Sequence, residues 1–137
     1  KRPEKGVEVS EMGWEVYPDG LYDLLKRVYN DYNHPLIFIT ENGMACKDDV
    51  IIDNVVQDHD RLSYLKRYLA AAHRAIEEGV KLRGYYVWSL LDNFEWIEGY
   101  SKRFGIIRVN FETQERMWKK SALWYKDVIK ENGFSMD

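Results

Sequence analysis

The segment "LIFITENG", residues 36–43, sets the fold, because a short apolar run ends there in an acid, an amide and a glycine. The run from Leu36 to Thr40 is apolar on both faces and too short for a helix, which predicts a parallel strand covered on both sides. Residues 41–57 are predicted to form a polar loop. In parallel α/β folds the active groups collect at the carboxyl ends of strands, which makes Glu41 a candidate functional carboxylate. From spacing alone, a helix cap or a solvated loop acid is the favoured explanation of Glu41.

Two helices flank this strand in the sequence. The first follows Pro18, which suits the first turn of a helix, and stops at "NHP", residues 33–35. Its apolar positions recur at helical spacing: Leu21, Leu24, Leu25, Val28 and Tyr32. The second is expected to be capped by Asp58 or Asp60 and to end at Gly79. Its apolar positions are Leu62, Leu65, Leu69, Ala72 and Ile76.

The second half of the chain repeats this alternation. "LRGYYVWSLL", residues 82–91, is short, aromatic and β-branched, which is typical of a second buried strand. "IIRVNF" (106–111) and "ERMWKK" (115–120) are predicted to pair as a small hairpin. Ser121 is expected to cap a last helix that ends at Gly133.

The order helix, strand, helix, strand, helix predicts an α/β fold with a parallel sheet and helical crossovers. Two strands cannot form a sheet that is covered on both faces. In a (β/α)8 TIM barrel, which needs at least about 200 residues, this chain would supply the last two strands, three helices and the hairpin. Residues 1–137 are therefore interpreted as the C-terminal segment of a single barrel domain, whose remainder would pair with the free strand edges.

The composition excludes several classes of partner. The 137 residues are 45% apolar and 15% aromatic, and scattered charges sum to −3, so no patch favours nucleic acid or an acidic membrane. No run reaches the roughly 20 apolar residues of a membrane span, and "KRPEKGVEVS" (1–10) has no signal-peptide core. The single cysteine, Cys46, excludes an internal disulfide and is consistent with a reducing compartment, so we expect a cytoplasmic protein.

An ordered set of motifs points to a known family. "TENG" (40–43) is followed by "WSLLDNFEWIEGYSKRFGI" (88–106), with "MGWEVYPDGLYDLL" (12–25) before them and "SALWYKDVI" (121–129) after them. In combination these segments resemble the β-glycosidases of glycoside hydrolase family 1. The resemblance extends over nearly the whole chain.

The resemblance implies a role for each candidate residue. Glu41 matches the nucleophile of a retaining mechanism, which needs a second carboxyl about 5–5.5 Å away to protonate the leaving oxygen. Glu95 matches a glutamate that accepts hydrogen bonds from two sugar hydroxyls. Trp88 and Trp96 match indoles that contact the sugar, and Phe104 matches the wall beside its hydroxymethyl group. No metal or cofactor is needed for this chemistry.

Two further residues bear on the sugar. A phosphoglycosidase branch of the family carries serine where this chain has Glu95, and a buried glutamate would repel a phosphate. The resemblance therefore implies an unphosphorylated β-D-glucoside, with galactosides and fucosides as alternatives. Lys102 and Arg103 are interpreted as structural or rim charges.

The family's acid/base lies in an Asn-Glu-Pro motif, which this sequence lacks because none of its three prolines follows a glutamate. We therefore expect β-glucosidase activity from a complete barrel and little or none from these residues alone. The alternative is a non-catalytic fragment that binds sugars or associates through its strand edges. Trp118 is unexpected on a hairpin surface, and either packing on a neighbouring loop or an altered contact surface would explain it.

Overall fold

The computed structural model describes residues 6–136; the ends of the predicted 1–137 unit, residues 1–5 and 137, lie outside the described residues. The helices are α1 (Pro18–Asp31), α2 (His59–Glu77) and α3 (Lys120–Glu131). The strands are β1 (Ile37–Asn42), β2 (Ile51–Ile52), β3 (Val55–Val56), β4 (Leu82–Val87), β5 (Ile107–Val109) and β6 (Arg116–Trp118), and a 3-10 turn spans Trp96–Glu98. No helix within the described part of the chain is long and apolar enough to cross a membrane.

The two predicted strands are confirmed. β1 and β4 pair in parallel, with Ile37 opposite Leu82 and Asn42 opposite Val87, and α2 makes the crossover between them. Because the strands are parallel, their carboxyl ends meet at one edge of the sheet. The loops that follow Asn42 and Val87 therefore begin at the same edge of the sheet.

The prediction that β1 is covered on both sides is wrong for this chain. Ile37 and Ile39 pack against a buried cluster under α1 and α2, whereas Phe38, on the other face, is 53% exposed. Tyr86 of β4 is exposed on that same open face. Within residues 6–136 this sheet has two strands, and Phe38 and Tyr86 are exposed on the face that would point into a barrel.

The helix boundaries agree with the sequence, but two capping predictions are wrong. Pro18 opens α1, and Gly79, with φ of +92°, follows the end of α2. Asp58 stands at the N-cap position of α2 without a side-chain cap there. Its Oδ1 instead accepts a hydrogen bond from the backbone N–H of Ser121 at 2.9 Å. Ser121 is thus a residue of the first turn of α3, held by a carboxylate from another helix, and not its cap.

The β5–β6 hairpin is confirmed, with Arg108 opposite Met117. The segment 41–57, predicted as a loop, contains a second hairpin, β2–β3. Asp53 and Asn54 connect its strands with φ of +48° and +63°. Two successive residues with positive φ make the tight turn that matches the twist of a hairpin. β-branched pairs on either side of Asp-Asn were the overlooked signal.

The core lies on the helix side of the sheet, in two clusters. One joins α2 to the loop after β1 and to α3; its buried residues are Val16, Met44, Cys46, Tyr64, Leu65, Tyr68, Ile106 and Ala122. The other joins α1 to α2; its buried residues are Leu25, Ala72, Ala75 and Val80. The two clusters pack the strands against the helices and so fix the position of the carboxyl ends of both strands.

Candidate active site

All five residues predicted for the site line one cleft at the carboxyl ends of β1 and β4. The cleft has a volume of about 450 Å³. Its lining residues are Trp14, Glu41, Asn42, Gly43, Tyr64, Trp88, Glu95, Trp96 and Phe104. The structure therefore brings together the candidate nucleophile, the candidate sugar-binding carboxylate and four large aromatic side chains besides Tyr64.

The end of β1 approaches the start of the loop after β4 very closely. The backbone N–H of Trp88 donates to the carbonyl of Asn42 at 2.9 Å. A Cβ added to Gly43 would lie 1.6 Å from the carbonyl oxygen of Trp88, which no side chain could tolerate. Gly43 is not among the glycines with positive φ, so it does not adopt an unusual backbone conformation. A glycine is needed here because only the absence of a side chain permits the contact with Trp88. The Trp88–Ser89 peptide bond is cis.

The side chain of Asn42 is held from two elements. Its Nδ2 donates to the hydroxyl of Tyr64 on α2 at 3.1 Å, and its Oδ1 accepts from the hydroxyl of Tyr85 on β4 at 2.5 Å. Burial raises the pKa of both tyrosines above the ordinary phenol value, so both hydroxyls remain protonated, Tyr64 as the acceptor from Asn42 and Tyr85 as the donor to it. Since Asn42 follows Glu41 directly, these bonds fix the backbone that carries the candidate nucleophile.

The loop after β4 presents Glu95 and Trp96 on a tight turn. The backbone N–H of Glu95 donates to the carbonyl of Gly99 at 2.7 Å. Trp96 has a φ of +43° and is 80% exposed. A bulky residue with positive φ is uncommon and tends to occur at functional sites. Glu98, considered a weaker candidate, lies on this turn but does not line the cleft.

Phe104 closes the other end of the loop and is nearly completely buried. The ring of Trp14 lies 6.0 Å from it, centroid to centroid. The neighbouring charges have structural partners: Lys102 donates to the carbonyl of Glu11, and Arg103 donates to Asp92 at 2.6 Å. This geometry agrees with the interpretation of Lys102 and Arg103 as structural charges.

A buried ionic network joins α2 to the loops that follow β1 and β4. Arg61 of α2 donates to Asp48 through both Nη atoms, at 2.8 and 2.9 Å, and Lys119 donates to Asp48 at 2.5 Å and to Asp92 at 2.8 Å. Burial and the charge of Arg61 lower the pKa of Lys119, and the two aspartates oppose that effect. Within residues 6–136, no buried side-chain nitrogen or oxygen lacks a hydrogen-bond partner. The network is thus fully satisfied, as a buried set of charges must be.

Two lining residues were missed from the sequence. Trp14 belongs to a motif that contributed to the resemblance, yet nothing in its own spacing marked it as a site residue. Tyr64 sits one turn into α2, where its ring stacks on Tyr68 at 4.0 Å while its hydroxyl reaches Asn42. A tyrosine among aliphatic positions of an amphipathic helix was the available signal, because a buried hydroxyl needs a partner.

The fold and the cleft together define the C-terminal part of a TIM barrel whose site lies at the carboxyl ends of its strands. The sequence pattern of glycosyl hydrolase family 1 matches residues 1–134. The chain belongs to glycosyl hydrolase family 1.

Three relatives show how close this relationship is. The β-glucosidase A of Acetivibrio thermocellus is 58% identical over 127 residues, which are 93% of this chain and 28% of the relative. The solved family 1 β-glucosidase from Thermotoga maritima is 52% identical and superposes with a TM-score of 0.93 over 97% of this chain and 30% of its own. A 6-phospho-β-galactosidase of Lacticaseibacillus casei is 44% identical over 128 residues, 90% of this chain and 27% of its own. The chain thus spans under a third of the length of each relative.

Proposed function

We propose that a complete barrel containing this chain hydrolyses unphosphorylated β-D-glucosides with retention of configuration, and accepts β-galactosides or β-fucosides as secondary substrates. The observation that carries this proposal is the shared cleft. Glu41, at the end of β1, lines this cleft together with Glu95, Trp88, Trp96 and Phe104, which supports the proposal. A rigid strand end holding a carboxylate in an aromatic-walled cleft suits a sugar whose C–H faces and hydroxyls both need partners.

Each side chain has a definite task in this proposal. The carboxylate of Glu41 attacks the anomeric carbon and forms a glycosyl-enzyme ester, while an acid from outside this chain protonates the departing oxygen. Water, deprotonated by that same outside group, then cleaves the ester and frees Glu41. Glu95 accepts hydrogen bonds from two sugar hydroxyls, and the indoles of Trp88 and Trp96 cover the sugar ring.

The test replaces Glu41 with alanine in a complete barrel, either the longer natural polypeptide or a chimera in which this segment replaces its counterpart in the Thermotoga maritima enzyme. Glu41→Ala should lower kcat for an aryl β-D-glucoside by at least about three orders of magnitude, because no nucleophile remains. Glu98→Ala is the matched control: it removes a loop glutamate that does not line the cleft and should retain turnover. Near-normal turnover by Glu41→Ala would exclude the nucleophile assignment.

The same barrel distinguishes the phosphorylated substrate class. A phosphate near Glu95 would meet a carboxylate, so kcat/KM for a 6-phospho-β-galactoside should fall well below that for the β-glucoside. Replacing Glu95 with serine should bring the kcat/KM for the 6-phospho-β-galactoside closer to that for the β-glucoside. A barrel that prefers the 6-phosphosugar would contradict the proposed substrate.

A second candidate function is sugar binding without turnover, and it is favoured by the fact that Glu95, Trp88 and Trp96, the candidate sugar contacts, line one cleft within the described chain. A titration of the isolated chain with glucoimidazole, a ligand bound in one Thermotoga maritima β-glucosidase structure, tests it through tryptophan fluorescence. Saturable binding that Trp96→Ala abolishes would support a binding fragment. Absence of binding to the chain alone would leave the hydrolase as the function of the assembled barrel.

A further inference from the structure

The loop that carries the sugar-contacting residues is closed at its base by Asp92. Asp92 is 4% exposed, and its Oδ2 accepts from Arg103 at 2.6 Å, while its Oδ1 accepts from Lys119 at 2.8 Å. The backbone N–H groups of Gly105 and Val109 also donate to it, at 3.0 and 3.3 Å. One carboxylate therefore joins the start of the loop to its end, to β5 and to the residue before α3.

The contrast between the base and the tip of this loop is large. A Cβ on Gly105 would lie 2.2 Å from the backbone nitrogen of Asp92, so the two ends of the loop are in direct contact. At the tip, Trp96 is 80% exposed and Ile97 is 99% exposed. The backbone hydrogen bonds of the tip stay within its own turn, from Glu95 to Gly99 and from Glu98 to Glu95. The position of Glu95 and Trp96 therefore depends on how the base is held.

The same ionic network reaches the other side of the cleft. Lys119 bridges Asp92 to Asp48, and Asp48 binds Arg61. Arg61 in turn donates to the carbonyl of Met44 at 3.2 Å and to the carbonyl of Arg103 at 2.7 Å. Met44 follows the segment "TENG" directly, and Arg103 precedes Phe104. The two loops that form the cleft are thus bound to one charged frame.

We infer that Asp92 is a positioning residue, which sets Glu95, Trp96 and Phe104 at their working distance from Glu41. This inference rests on the proposed glycosidase function. An aspartate is required because both of its oxygens accept from cations; an asparagine would present an amide N–H₂ to one of them and break that ion pair at the base of the loop. The loop base would then open, and its displacement would be passed to the tip.

The expected kinetic signature is specific. The residues on this loop contact the glycone in both the ground state and the transition state, so misplacing them removes uniform binding. KM should therefore rise while kcat changes little. A general loss of folded protein would lower the apparent kcat and leave KM where it was.

The experiment compares Asp92→Asn with Asp58→Asn in a complete barrel containing this chain. Asp58 is a matched control, because it is also 4% exposed and also pairs with a buried cation and a distant backbone N–H, those of Arg61 and Ser121. It lies at the junction of α2 and α3 and reaches the loop only through Arg61, which keeps its hydrogen bonds to Asp48 and to the carbonyl of Arg103 in this variant. We expect Asp92→Asn to raise KM for an aryl β-D-glucoside about tenfold at nearly constant kcat, and Asp58→Asn to lower Tm with KM changed less than about twofold.

Each outcome is decisive. Equal KM values for Asp92→Asn and the unmodified barrel, or equal increases in both variants, would overturn the inference. A barrel in which neither the unmodified chain nor any variant turns over glucoside would refute the proposed function, and this inference with it. If Asp92→Asn does not fold, Arg103→Lys is the second variant. It keeps the positive charge of one partner of Asp92 but replaces the planar guanidinium group with an ammonium group. It should raise KM by a smaller factor, and an unchanged KM in that variant would again overturn the inference.

Discussion

A glycine is required at position 43 because a neighbouring backbone group leaves no space for a side chain. Its backbone conformation is one that other residues adopt, yet the carbonyl of Trp88 occupies the space of a Cβ. Both residues line the cleft, and the hydrogen bond between Trp88 and Asn42 joins the two strand ends beside them. The absence of a side chain at Gly43 is what lets Glu41 and Trp88 face the same small volume.

This contact leads to a prediction on stability. Gly43→Ala should lower the free energy of unfolding of a complete barrel by about 3 kcal/mol or more, since the obstructing atom is backbone and cannot rotate away. Gly133→Ala serves as the control, because a Cβ there meets nothing closer than 3.9 Å. Urea denaturation of the two variants measures the difference. Similar losses in both would show that the strand ends can separate without cost.

At the scale of elements, the position of β1 depends on hydroxyl contacts as well as on packing. Tyr64 from α2 and Tyr85 from β4 both bind the side chain of Asn42. Tyr125 of α3 adds a further link by donating to the carbonyl of Tyr85 at 3.1 Å. A helix, a strand and a second helix therefore meet around the residue that follows Glu41, so the site is sensitive to the ionisation of these phenols.

The sign of this pH dependence follows from the pKa shifts. Burial raises the pKa of Tyr64 and of Tyr85 above the ordinary phenol value of 10, so the folded state favours their protonated forms. Their contribution to stability is complete below about pH 10 and is lost as the pH rises through the folded-state pKa values. Ultraviolet absorbance and circular dichroism should show these two phenols ionising late, together with loss of secondary structure.

Substitutions at single tyrosines test that assignment. Tyr85→Phe should remove part of the late absorbance change. Tyr32→Phe, which alters a side chain that is 72% exposed, should leave that late change intact. If all phenols of the unmodified protein ionised before any loss of structure, the buried hydroxyl cluster could not stabilise the junction of β1, β4 and α2.

At the scale of the whole molecule, the open face of the sheet dominates. Large apolar side chains on or beside this face are Leu36, Phe38, Tyr86, Trp88 and Leu90, each more than a third exposed. Both outer edges of the β1–β4 pair also lack a neighbouring strand within the described residues. Such a face and such edges are predicted sites of association.

The chain studied by itself should therefore bind an apolar fluorescent dye and self-associate at micromolar concentration. Adding the rest of the barrel as a separate chain, taken from the Thermotoga maritima relative, should suppress both effects and restore glucosidase turnover. Phe38→Ser should weaken dye binding by the chain alone, because it removes apolar area from the centre of the open face. If the unmodified chain bound no dye and stayed monomeric, the open face of the β1–β4 sheet would have to be covered in some other way.

The sequence alone determined the element order, the helix boundaries, the two parallel strands and the β5–β6 hairpin. These follow from periodicity and turn chemistry, which act over a few neighbouring residues. Its motifs also identified the family and the five candidate residues that line the cleft. It missed the hairpin at Asp53 and Asn54, whose strands are too short to show a period.

Only the tertiary structure shows which residues far apart in the sequence contact one another. It assigned Asp58 to the start of α3, Gly43 to the carbonyl of Trp88, Tyr64 to Asn42 and Asp92 to the base of the loop that carries Glu95 and Trp96. It also left one face of β1 open where a buried strand was expected. Local patterns constrain only the conformation of a segment, whereas these contacts join residues far apart in the chain and depend on which surfaces packing brings together.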